Sequence, residues 1–120
     1  MEELNLRPAL STARELGIAV QGRIRRRIAL PLSSARRLRN FNPERLRNKP
    51  ADAYPPNNSP RGYSDVSSVH WHARRFRRGL PVNPIVITQT GRSLTLLDGA
   101  HRIVAAYIAG LDSLPAVILE

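Results

Sequence analysis

A chain of 120 residues with 42% hydrophobic content is long enough for one modest core and too short for two. It has no cysteine, which excludes disulfides, thiolate metal sites and cysteine nucleophiles and makes a cytoplasmic setting the expectation; no signal peptide and no run of about 20 apolar residues is found, so no membrane is expected among its partners. Lys49 is the only lysine among 19 basic residues, so 18 arginines carry the net charge of +10, and planar guanidinium groups that grip phosphate oxygens in pairs make nucleic acid the expected partner, the plainer reading being a solvated basic face.

In chain order, Thr12-Ala13-Arg14-Glu15 has the spacing of a capping box, with Gly17 to end the turn. Residues 1–22 are otherwise expected to be an N-terminal extension, and 23–120 a single domain. Arg23 to Leu30 mixes arginine with apolar residues before Pro31, the pattern of a strand with a basic exposed face that includes Arg25 and Arg27. Ser33-Ser34 then caps an expected helical turn over Ala35 to Arg39. Five prolines between Phe41 and Tyr63 predict a loop at about 41–64, because proline keeps such a stretch out of helices.

From Asp65 onward, Val66, Val69, Ala73, Phe76 and Leu80 recur at helical spacing, with Asp65 as N-cap and Gly79 as terminator. Arg74, Arg75, Arg77 and Arg78 fall mostly on other faces of this helix and suit a passing nucleic-acid backbone. Trp71 reads more readily as core or interface than as a stacking platform. His70 and His72 lie about 200° apart on a helix and cannot share an ion, so no protein-held metal is expected. Tyr54, Tyr63 and Tyr107 have no spacing that raises them above packing or solvent roles. Ile85 to Thr88 and Ser93 to Leu97 form a hairpin about a turn at Gln89-Thr90-Gly91. An alanine-rich helix over Ala100 to Ala109 closes at Gly110, and Pro115 to Leu119 is a last strand. No internal repeat is found, and the fold class is α/β (α+β): a small mixed sheet with flanking helices.

The chemistry concentrates where a strand passes directly into a helix at Asp98-Gly99-Ala100-His101-Arg102. The backbone amides at such a helix start attract an anion, Gly99 lets a phosphate approach closely, and His101 and Arg102 add side-chain donors. Asp98 is a candidate general base, ligand of a metal-bound water, or orienter of His101. The plainer reading has Asp98 capping the helix and Gly99 only making the turn.

These residues, with Leu80-Pro81-Val82-Asn83-Pro84-Ile85-Val86-Ile87 before them and Ala105-Ala106, Ala109-Gly110-Leu111 and Leu114-Pro115-Ala116-Val117 after, resemble the ParB/sulfiredoxin-like domain in order and spacing. The resemblance covers about Val66 to Leu119. It implies that nucleotide phosphates or a phosphate backbone sit at the junction occupied here by Asp98 to Arg102, as in the partition proteins, DNA nucleases, sulfiredoxins and free-serine kinases of that superfamily. Sulfiredoxins carry a cysteine where this chain has Ala100, so sulfinic acid repair is not expected. No helix-turn-helix follows Glu120, so full segregation activity is not expected either. Serine kinases need a further acid, for which Glu44 is the nearest upstream candidate. Ser68 stands where sulfiredoxin relatives carry a phosphate-contacting lysine.

The expected function is therefore a stand-alone ParB-like domain that binds nucleotide phosphates or the DNA backbone, with phosphodiester hydrolysis as the reaction if it is an enzyme. Asp98, His101 and Arg102 would be catalytic. Gly99, Ala100, His101, Arg102 and Ser68 would bind phosphate, and Arg25, Arg27, Arg74, Arg75, Arg77 and Arg78 nucleic acid. Mg2+ and a nucleoside triphosphate are the cofactors that reading implies. The alternatives are a small-molecule phosphotransferase using ATP or ADP, and a non-enzymatic accessory protein that binds DNA or another protein.

Overall fold

The computed structural model describes residues 4–43 and 65–120. The elements run α1 (Arg7–Glu15), β1 (Ile24–Pro31), α2 (Leu32–Ala35), α3 (Asp65–Arg77), β2 (Ile85–Thr90), β3 (Ser93–Asp98), α4 (Ala100–Ile108) and β4 (Ser113–Leu119). Glu44, Tyr54, Tyr63 and most of the proline-rich stretch lie outside the described residues.

The strands form one mixed sheet in the order β1-β4-β2-β3. β4 runs antiparallel to β1 and parallel to β2, and β2 and β3 form the expected hairpin. Side chains alternate across a strand, so Ile85, Ile87, Ala116 and Ile118 turn to one face, where they meet Ile103 and Ala106 of α4 and Leu32 and Ala35 of α2. Val86, Val117 and Leu119 turn to the other, against Ala9 and Ala13 of α1. Burial on both faces explains why β2 and β4 read as unbroken apolar runs. α3 forms the outer layer, packing Val69 and Ala73 on Ala105 of α4.

Several expectations need correction. Residues 4–22, read as an extension, contribute α1 to the core: Ala9 and Ala13 are 0% and 1% exposed. Thr12 does not cap a helix there; it lies inside α1 and its hydroxyl donates to the Pro8 carbonyl at 3.0 Å, while Pro8 occupies the first turn, where a missing N–H costs nothing. Ser33 and Ser34 likewise sit within α2 rather than ahead of it, because the helix begins at Leu32 directly after Pro31. The hairpin turn falls at Gly91-Arg92, one step later than expected, since β2 continues to Thr90.

The basic strand forms as expected, but not with one basic face. Its register shifts between Ile24 and Arg26, so Arg25 is an extra residue opposite no single partner. Arg26 then pairs with Ile118 and Arg27 with Val117, residues that point to opposite faces of the sheet. Arg25, Arg26 and Arg27 are nevertheless all exposed, because β1 is an edge strand. Such a row of charge on an edge also discourages another strand from pairing there.

Asp65, expected as the N-cap, is instead the first residue of α3, and the helix ends as expected. The Gly79 amide donates to Phe76 and the Leu80 amide to Arg75, the paired bonds of a Schellman motif, and α4 closes the same way through Gly110 and Leu111. β4 starts at Ser113, two residues earlier than expected, and its Pro115 pairs with Ala29 of β1. The parallel ladder with β2 opens only at Ala116, so the missing proline N–H leaves no bond to β2 unmade.

Candidate functional site

The junction between β3 and α4 is set by close packing. Between Val86 and Ile87 of β2 the pairing register shifts, which makes Leu97 an extra residue in β3 just before the junction. Leu97 stays in the core with α1, and the chain then turns at Gly99 with φ 126 and ψ 20. A Cβ at residue 99 would lie 2.7 Å from the Ile85 Cβ and 3.1 Å from its Cα. Glycine is therefore required twice, by the backbone angle and by the approach of β2.

Gly99 is the N-cap of α4 and supplies no side-chain cap, and no acidic residue occupies the first turn. The positive end of the helix dipole is thus not met by a capping side chain.

Arg102 and Asp98 form the framework beside it. Arg102 Nη1 donates to the carbonyls of Asn83 at 3.1 Å and Pro84 at 2.9 Å, and Nη2 lies 3.1 Å from Asp98 Oδ2. Its side chain is only 13% exposed, so this guanidinium fastens the first turn of α4 to the segment entering β2. Arg102 was expected to hold phosphate, and Asp98 to act as a base or to orient His101; the partner Asp98 has in this geometry is Arg102. His101 is half-buried on the same turn. Ser68, the other expected phosphate contact, is 2% exposed, so its hydroxyl is not presented to solvent in this arrangement.

Sequence reasoning set His72 aside, yet it belongs to this neighbourhood. Its Nδ1 lies 2.8 Å from the Ser68 carbonyl one turn earlier, and a carbonyl only accepts, so Nδ1 carries the proton. Burial, helped by the charges of Arg102, His101 and Arg75 and opposed by the Ser68 hydrogen bond, lowers the His72 pKa to about 4. A neutral imidazole therefore stands within the field of two residues of the α4 turn. The signal that could have found it is the four-residue step from Ser68 to His72, which brings both to one face of α3. His70 is exposed, and Trp71, expected in the core or an interface, is 38% exposed.

The arginines expected to bind nucleic acid are spread widely. Arg74, Arg77 and Arg78 lie on α3 and its C-terminal turn, and Arg25 and Arg27 are exposed on β1. Arg75 is half-buried, with its Nε donating to the Pro81 carbonyl at 2.9 Å and its guanidinium 4.9 Å above the Trp71 ring. Among the described residues no three His, Asp or Glu side chains gather as a metal site, and Asp98 is already paired with Arg102. No helix among the described residues is long and apolar enough to cross a membrane.

No protein-family model matches the sequence, and the comparison with curated proteins gives no match. In three dimensions the chain is similar to the crystal structure of sulfiredoxin from Arabidopsis thaliana, with a TM-score of 0.52 at 17% identity over 78% of this chain and 83% of that one. The mixed sheet, the hairpin and the helix that follows it agree with the expected architecture: the chain has the ParB/sulfiredoxin-like fold.

Proposed function

We propose that this protein binds the polyphosphate of a nucleotide at the start of α4, with the backbone of Gly99, Ala100 and His101 and the His101 side chain as its contacts. The observation that carries this reading is the glycine N-cap without a side-chain cap, at the junction where the resemblance implies phosphate. Arg102 and Asp98 act as positioning residues, because their polar atoms already hold the turn against Asn83 and Pro84. Any Mg2+ arrives with the nucleotide phosphates. No reaction is assigned to the site.

The test is calorimetric titration of ATP, CTP and tripolyphosphate into the wild type and His101→Glu. A carboxylate in the first turn suits the helix dipole and repels phosphate, so this variant should fold normally and bind at least about tenfold more weakly. Equal binding by both proteins, or none by the wild type, overturns the reading.

A second reading is favoured by one observation, the three consecutive exposed arginines on the β1 edge. In that case the protein holds a DNA backbone through dispersed arginines, with affinity that falls steeply with salt and does not depend on His101.

A further inference from the structure

Trp71 is the only tryptophan in the chain, and it lies 38% exposed on α3, whose Val69 and Ala73 are the residues that pack inward on α4. Leaving part of so large an apolar ring in water forgoes burial that a core tryptophan would gain, and keeps part of a planar π-surface available for contact. Two neighbours hold it. The Arg75 guanidinium lies 4.9 Å from its ring centroid, and the His72 ring meets it edge-on with centroids 4.9 Å apart at 80°. Both neighbours are themselves anchored, Arg75 to the Pro81 carbonyl at 2.9 Å and His72 to the Ser68 carbonyl at 2.8 Å.

The same contacts tie the indole to the start of α4. The segment that takes the Arg75 hydrogen bond at Pro81 takes those of Arg102 at Asn83 and Pro84. His72, in edge contact with the indole, stands in the electrostatic field of both His101 and Arg102. A partly exposed planar ring is thus linked, through Arg75 and the 81–84 segment, to the arginine that fastens the helix start from which a polyphosphate would extend. A nucleotide is the ligand class that combines a polyanion with a planar aromatic group, and every base has a π-face that an indole can accept.

We propose that Trp71, backed by Arg75 and His72, is the stacking platform for the base of the nucleotide; this rests on the phosphate reading above and names the part of the ligand that the phosphate site alone would not distinguish. Stacking of this kind changes affinity without choosing strongly among bases, so ATP and CTP should both benefit.

The experiment compares CTP and ATP with tripolyphosphate, which has the same phosphates and no base. In the wild type, the nucleotides should quench the fluorescence of the single tryptophan and bind more tightly than tripolyphosphate. In Trp71→Ala, calorimetry should show nucleotide affinity reduced about 5- to 100-fold with tripolyphosphate affinity unchanged. Trp71→Phe, which keeps a ring, should recover most of that loss, and circular dichroism checks that both variants fold. If Trp71→Ala binds nucleotide as the wild type does, the platform is wrong while the phosphate site stands. If both ligands are weakened equally, Trp71 supports the fold and not the base, and the proposal fails. If nothing binds to the wild type, both readings fall together. Quenching by a single-stranded oligonucleotide without any by CTP or ATP would also overturn the proposal.

Discussion

Replacing Gly99 with alanine should destabilise the protein by about 4 kcal/mol, through two costs that arise at one atom. The backbone angle φ 126 lies where L residues pay about 1–3 kcal/mol. The new methyl would also lie 2.7 Å from the Ile85 Cβ and 3.1 Å from its Cα, atoms that can move only with the β2 backbone. Ile85 is 0% exposed in the middle of the core, so the overlap adds about 1–3 kcal/mol. For a domain of this size each kcal/mol lowers the melting temperature by about 4 °C, which predicts a fall of about 16 °C by differential scanning calorimetry. Gly91 is the control: its φ is 62 and a methyl there would meet nothing within 4 Å, so Gly91→Ala should cost only about 1 kcal/mol. If Gly99→Ala melts within a few degrees of Gly91→Ala, the packing argument for the junction is refuted.

Arg102→Lys should lower stability by about 2–4 kcal/mol in urea unfolding, because one ammonium cannot serve the Asn83 and Pro84 carbonyls and Asp98 together; full stability in the lysine variant would deny the fastening role. The His72 pKa of about 4 lies below the ordinary value of 6.5, so the unfolded chain takes up that proton first. Stability should therefore decline as pH falls from about 6.5 to about 4, and His72→Gln should flatten the decline over that window; an unchanged slope would count against the buried neutral ring. If the arginine surface holds DNA, changing Arg25, Arg26 and Arg27 together to alanine should reduce the slope of log K against log salt by up to about 3, whereas an unaltered slope would remove the β1 edge from the interface.

Local rules carried far in this chain, and the places where they stopped have physical causes. Helix ends at Gly79 and Gly110 were legible because a left-handed closing residue is a property of the local backbone. The β2-β3 hairpin and α4 were legible for the same reason, each being set by the periodicity of a few neighbouring residues. The last turn of the first helix and its end at Gly17 were legible, but its start and its burial were missed, because its buried face is built from the small residues Ala9 and Ala13, whose burial depends on Val117 and Leu119 at the far end of the chain. The split of the β1 arginines was missed because a bulge is defined only by the partner strand.

For the site, the sequence by itself determined the order Asp98 to Arg102, the glycine at the turn and the helix that starts there. It could not assign the donors of Arg102, since their acceptors, the Asn83 and Pro84 carbonyls, are 19 and 18 residues away and become neighbours only when β2 packs beneath Gly99. Nor could it bring His72 under the influence of His101 and Arg102, because α3 meets α4 through the Val69, Ala73 and Ala105 contact. Spacing along the chain specifies what a residue can do with its neighbours within a turn or a strand; which distant groups consume its hydrogen bonds, and which leave it exposed, is decided by packing alone.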